Sequence, residues 1–392
     1  MFSLDKFYNI LHNNLITQFV NGRSITFYPF GTYQNKTFLS DKFSISNPPF
    51  GPEKHWRSEQ QFFHCYFFDQ EPYYDTILDT IQDSLLHPKN VSRPGRANVL
   101  ANSEYSDIKQ LCCSQFNMHD WYYFFHGFAA LDWYRDFQYI RWDSIDMFDK
   151  VFICYNHLSS KYRSHRLHLV SNLIQQDLVK HGLVSLFLKD DLGTWRNTIQ
   201  DPQTPLDNRA RVKIYKALKD ITEPLVIDTI EPNGLMSANI DINQLTRALW
   251  HIVTETVYFL PKLHLTEKIF KPIVAKRPFI LVAAPGNLAY LKRYGFKTFD
   301  HWIDESYDNE QDHYIRIEKI TAEIAKLCAL EPIVLKQMHI EMQEILEYNF
   351  QHFYGDFKKI IVNELVDNFG NLCIPTKLPL TYLEEVKNRL LQ

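Results

Sequence analysis

The feature that most constrains this chain is the alternation of short apolar runs with helical stretches that begins near residue 150. Lys150–Tyr155 reads as a buried strand. The stretch from Arg166 to about Lys180 reads as an amphipathic helix, with Leu167, Val170, Ile174 and Leu178 on one face. Gly182 is its expected stop, and Leu183–Leu188 the next strand. Pro224–Ile227 and Ile252–Val253 are further strand candidates. Pro278–Ala283 is an apolar run of strand length, followed by Pro285-Gly286 and a helical stretch that carries Leu288 and Leu291 and ends at Gly295. Repeated strand–helix units predict a parallel sheet covered by helices, because parallel neighbours need a crossover between them. Such sheets bind ligands beyond the carboxyl ends of their strands.

The 392 residues suit two domains, or one large α/β domain with a tail. Before residue 150 the sequence is aromatic and irregular, with extended candidates at Ser24–Tyr28 and His64–Phe68 and a loop at 86–96 that holds two prolines, a glycine and three basic residues. The dense aromatic segment Trp121–Arg135 is expected in the core, where its rings bury large areas. His126, Asp132 and Arg135 are its candidates for the edge of an acceptor cleft. Residues 311–366 have helical periodicity. The expected division is an N-terminal acceptor-side domain over 1–148, a nucleotide-binding domain over 149–365, and a tail over 366–392 packing back on the first.

Composition narrows the function. The net charge of −4 gives no global drive towards nucleic acid or anionic membrane. The first residues lack a signal-peptide layout, and no run of about 18 apolar residues suggests a membrane span. Six cysteines without a CxxC pair argue for reduced thiols, and a cytoplasmic location is expected. There is no HExxH, GxSxG or Walker sequence. Asp190-Asp191 reads as a surface turn, so no metal site is expected.

Three segments can carry chemistry. Thr266-Glu267-Lys268 opens a short helical stretch after a loop, where free N–H groups and the Lys268 charge suit a diphosphate and Glu267 suits ribose hydroxyls. A solvated first turn explains the same pattern, and Pro272 should kink or end the helix. Glu255, between Thr254 and Thr256, follows a strand candidate and would face the same cleft. In the second segment Asn156 stands at a strand end, with Arg163 and Arg166 entering a helix; an arginine fork can hold two phosphate oxygens. In the third, Asp69 and Glu71 follow an apolar strand, with Pro72 next, and either carboxylate suits a general base.

The paired segments Val253-Thr254-Glu255-Thr256 and Leu265-Thr266-Glu267-Lys268 resemble the donor-binding region of the α-1,3-fucosyltransferases, which carry Phe-Glu-Asn at a strand end and Tyr-Val-Thr-Glu-Lys shortly after. The resemblance implies donor-binding places for Glu255, Glu267 and Lys268, a diphosphate contact for Arg166, and a base at Glu71 where the family has Glu-Ser-Pro. Thr256 stands where the family has asparagine, so nucleotide and sugar do not carry over. The longer pattern through residue 308 is similar to glycosyltransferase-like proteins encoded by tailed phages.

The expectation is therefore an α/β protein of the GT-B kind, with two Rossmann-like domains facing a cleft. It would move a sugar from a nucleoside-diphosphate donor to an acceptor hydroxyl, inverting and without a metal, the nucleotide sugar being a co-substrate and no other cofactor being needed. The acceptor stays open between a glycan and a hydroxymethylated DNA base. Lys89, Arg93 and Arg96 with Arg209, Arg211, Lys213, Lys216 and Lys219 are candidates for tracking a phosphate backbone. A non-catalytic nucleotide-sugar-binding protein is the reading from a different class.

Overall fold

The computed structural model describes residues 3–16, 18, 24–28, 64–68, 98–101, 117–140, 148–190, 193–225, 227, 240–372 and 378–392. The chain divides into two compact units, Met1–Arg135 with Asn233–Leu235 and Asp356–Gln392, and Asp136–Pro232 with Met236–Gly355. Each is a helix-covered parallel sheet, so the protein is of the α/β class.

In the first unit, β1 (Ser24–Tyr28), β2 (His64–Phe68), β3 (Asn98–Ala101) and β4 (Asn117–Asp120) pair in sequential order, all parallel. Its core is aromatic, as the Trp121–Arg135 composition predicts. Residues Trp121–Leu131 are all buried. The Phe7 and Phe128 rings stack at 4.4 Å, and Trp121 meets Phe369 edge-on at 4.9 Å. The last two helices, Asp356–Gly370 and Leu380–Leu391, belong to this unit. Trp121 donates its indole N–H to the Leu365 carbonyl, and Tyr382 donates to the Asn14 carbonyl. Asp132 is buried and paired with Arg135, so these two serve the helix Phe125–Trp133 itself.

The second unit holds β5 (Lys150–Cys154), β6 (Gly182–Val184), a small antiparallel pair β7 (Lys189–Asp190) and β8 (Gly193–Thr194), then β9 (Ala248–Thr254) and β10 (Phe279–Val282). The main sheet is parallel with order β10-β9-β5-β6. All seven residues of β9 and all four of β10 are buried, which is why both are mostly apolar, with His251 and Thr254 of β9 the polar exceptions. Gly182 opens β6 rather than merely stopping a helix. A Cβ there would lie 2.4 Å from the Phe152 ring, so the neighbouring strand requires glycine.

The helix expected from Arg166 to about Lys180 spans His165–Gln175 and closes at Asp177, which adopts φ 56°. Pro272 sits in the first turn of the five-residue helix Phe270–Val274, where its missing N–H costs nothing. Leu225, from the candidate strand Pro224–Ile227, forms only a single antiparallel bridge with Leu186. Among the described residues, no helix is long and apolar enough to cross a membrane.

Candidate functional site at the switch point of the second sheet

The strand order reverses between β5 and β9: the chain runs outward from β5 to β6 on one side, then returns to β9 and β10 on the other. Loops leaving the two central strands therefore diverge, opening the position where nucleotide sites of open α/β sheets form. Asn156 and Glu255 follow these strands, and the structure brings them together with Arg166 and Thr266. Thr254 donates its hydroxyl to Asn156 Oδ1 at 2.9 Å, and the Asn156 N–H donates to Ser185 Oγ at 2.9 Å. These bonds tie β5, β6 and β9 together at their carboxyl ends.

Glu255 is fully buried. Its carboxylate accepts from the Thr266 N–H at 3.1 Å and the Thr266 hydroxyl at 2.5 Å. Burial pushes its pKa up, while Lys268 and the Thr266 bonds pull the other way. The side chain thus holds the 257–266 loop instead of reaching for ribose. Asn287 secures the loop at a second point, accepting from the His264 N–H and donating to the Lys262 and Ala284 carbonyls. Thr256 is buried as well.

Arg166 differs from the phosphate-facing fork expected of it. It is 4% exposed, and its terminal nitrogens donate to the carbonyls of Leu158 at 2.7 Å, Thr254 at 3.0 Å and Glu255 at 3.3 Å. The guanidinium neutralises main-chain dipoles at the end of β9 and in the loop that leaves β5, which makes it a positioning residue. His165 joins it: its ring stacks on Tyr258 at 4.6 Å and Nε2 lies 3.2 Å from the Glu255 carbonyl. Tyr258 carries the Arg316 guanidinium 4.3 Å from its ring centre, and Arg316 donates to the Tyr258 and Glu310 carbonyls, both at 2.7 Å. Neither His165, Tyr258 nor Arg316 carried a sequence signal, because a buried cation on carbonyls reads like any surface arginine.

Thr266 caps the 3-10 turn Glu267–Ile269. The Glu267 side chain is 3% exposed and that of Lys268 is 29% exposed. Lys268 Nζ rests 2.9 Å from Glu267 Oε1 and 3.1 Å from Thr266 Oγ1. Arg163 is half-buried at the end of the 3-10 turn Lys161–Arg163, in the loop leaving β5. That turn begins at Lys161 with φ 48°, a left-handed conformation that a lysine adopts at a cost. Asp177 and Lys276 have similar angles, but each follows the end of a helix, where such residues are common caps.

The helix after β10, Asn287–Arg293, is closed to an anion. Asp308 supplies one already, accepting from the Leu288 N–H at 3.0 Å and the Ala289 N–H at 3.2 Å. The candidate bases Asp69 and Glu71 lie outside the described residues, as do Lys89, Arg93 and Arg96. The basic run on the helix Asn208–Leu218 is split. Arg211 turns inward to the Thr204 and Leu206 carbonyls, Lys213 pairs with Glu318, and Arg209, Lys216 and Lys219 remain exposed.

Compared with protein-family models, with curated proteins and with solved structures, the chain matches none.

Proposed function

We propose that the second unit binds the nucleoside-diphosphate end of an activated sugar beside β5 and β9, in a glycosyltransferase of the two-domain GT-B kind. One observation carries the reading: Asn156, Thr254, Glu255, Thr266 and Lys268 gather on the loops that leave the two strands where the order reverses. The resemblance of the Glu255 and Thr266-Glu267-Lys268 segments to the fucosyltransferase donor region supports it. So does the return of residues 356–392 to the first unit, since a tail packing back belongs to that architecture.

In this reading Lys268 and Arg163 meet the diphosphate, while Arg166 and Glu255 fix the loops that carry them. Lys268 leaves its resting contacts with Glu267 and Thr266 to reach a phosphate oxygen. Glu267 is then released to accept from a ribose hydroxyl. In transfer, the acceptor oxygen bonds the sugar C1 as the C1–O bond to the diphosphate breaks, and the electron pair leaves with the diphosphate. The acceptor proton passes to a carboxylate, Glu71 or Asp69, and the cationic side chains offset the charge that develops on the leaving group without a metal. A glycan hydroxyl is the preferred acceptor over a DNA base, because Arg211 and Lys213 are withdrawn from the basic run.

The test is a thermal-shift screen with UDP-, GDP- and CDP-linked sugars on the wild type and Lys268→Ala. A rise with one donor, lost in the variant, is the expected result. No rise with any donor removes the reading. Donor binding without hydrolysis or transfer to any acceptor would leave a nucleotide-sugar-binding protein instead.

A further inference from the structure

Three arginines are buried among the described residues, Arg166, Arg277 and Arg316, and they differ in how their charge is met. Arg166 has three main-chain acceptors at 2.7–3.3 Å, and Arg316 has two at 2.7 Å with an aromatic ring beneath it. Arg277 is 2% exposed and, among the described residues, has no main-chain acceptor closer than 3.4 Å and no ring contact of that kind. Its closest acceptors are the Thr246 carbonyl at 3.4 Å and His339 Nε2 at 3.5 Å, both at the limit of a hydrogen bond. Its Nε has no partner among the described residues, as in Arg166 and Arg316, so the difference lies in the terminal nitrogens. Burial lowers its pKa to about 10, and no neighbouring charge contributes, so it is still a cation at neutral pH. A buried cation with weak acceptors and no counter-charge is strongly disfavoured unless something else completes it.

The surroundings are suited to completing it with an anion. Arg277 stands two residues before β10, at the amino edge of the second sheet, one strand length or about 20 Å from the carboxyl edge. It lies beneath His339, which is half-buried, and Gln343, which is exposed, so the guanidinium is only one side chain from solvent. An arginine can only donate, so His339 Nε2 is the acceptor and its proton sits on Nδ1. The Gln343 amide therefore donates to the same nitrogen, at 3.0 Å. The two terminal nitrogens, held only by these long contacts, form a planar fork matched to two oxygens of one anion.

We propose that Arg277 is the centre of a binding site for a small tetrahedral oxyanion, a phosphate group, with Gln343 as a second donor. The site is separate from the switch-point site and does not depend on the glycosyltransferase reading. Gln343 swings from His339 to the anion, and the anion takes the Arg277 fork.

The experiment is thermal unfolding of the full chain in rising inorganic phosphate at constant ionic strength, with chloride as the comparator. The wild type should show a saturable rise of about 5 °C at a hundredfold excess over Kd. Arg277→Met, which keeps the volume and removes the charge, should lose the rise yet unfold at or above the wild-type temperature without phosphate, because an uncompensated charge has gone. Lys268→Ala should keep the full rise, which separates this site from the other. A flat wild-type response, an equal response to chloride, an unchanged rise in Arg277→Met, or a rise lost in Lys268→Ala each overturns the proposal.

Discussion

Thr266 donates twice to Glu255, through its hydroxyl to Oε2 at 2.5 Å and through its main-chain N–H to Oε1 at 3.1 Å. The pair joins the end of β9 to the turn that carries Lys268, across eleven residues of chain. Glu255→Gln keeps an oxygen for the N–H and turns its amide to the hydroxyl oxygen, at a cost of about 1 kcal/mol. Glu255→Ala leaves both Thr266 donors buried and unpaired, and should cost about 3 kcal/mol in urea denaturation. The group also has a pH signature. Its folded pKa lies above the ordinary 4.5, so the folded state holds the proton more tightly than the unfolded chain. Its contribution is greatest below pH 4.5 and declines as pH rises through the folded value. Glu255→Gln should remove that decline; equal pH slopes in the two proteins would exclude it.

Arg166 and Lys268 both read as phosphate ligands in sequence, and the structure separates their roles. Arg166→Ala strands the Leu158, Thr254 and Glu255 carbonyls and should cost about 3–5 kcal/mol of stability. Lys268→Ala removes a partly exposed cation from the buried Glu267 carboxylate and should cost about 1–2 kcal/mol, less than Arg166→Ala. Urea midpoints of the two variants decide this. Comparable losses would mean that Arg166 does not hold the end of β9 to the loop that leaves β5.

The contrast marks what the sequence can carry. Strands β5 and β10 were legible as mostly apolar runs, and Pro278–Ala283 brackets Phe279–Val282 closely, whereas Ile252–Val253 covers only two of the seven residues of β9, whose buried His251 and Thr254 interrupt the apolar pattern. The end of the His165–Gln175 helix was not legible, since Asp177 in a left-handed conformation leaves no mark comparable to glycine. Local spacing placed Asn156, Glu255 and Thr266 near strand ends and turns. It could not orient Arg166, whose acceptors Thr254 and Glu255 lie 88 and 89 residues away. Whether a helix-start arginine faces phosphate or main chain is decided by which strand packs beside it.

The buried histidines give the opposite pH response from Glu255. Desolvation holds His168 down to about 4 and His251 to about 3, against an ordinary 6.5. The folded protein keeps them neutral while the unfolded chain takes up protons below pH 6.5. Their contribution is fully present above 6.5 and is lost as pH falls towards 4 for His168 and 3 for His251. Each should add about 1.4 kcal/mol per pH unit to the acid-side slope within its window. His168→Gln should reduce proton uptake on unfolding near pH 5 by about one. Urea denaturation between pH 6.5 and 4.5 measures this, and an unchanged slope would show that His168 titrates normally.

Asp308 and Gly286 act together at the start of the Asn287–Arg293 helix. Gly286 adopts φ 81° and donates its N–H to the Asp308 carbonyl at 2.8 Å, while the Asp308 carboxylate takes the Leu288 and Ala289 N–H groups. The turn also sets Asn287, which anchors the loop leading to Thr266. A Cβ on Gly286 would meet only Leu263 Cδ2, at 3.4 Å, so Gly286→Ala is opposed by the backbone angle and not by crowding. It should cost about 1 kcal/mol, and Asp308→Ala about 1–2 kcal/mol through loss of the cap. Because the two share one turn, the double variant should lose less than the sum of the singles. Strict additivity in a double-mutant cycle would mean that the turn and the cap form independently, and that the link from this helix to the Thr266 loop is weaker than its hydrogen bonds suggest.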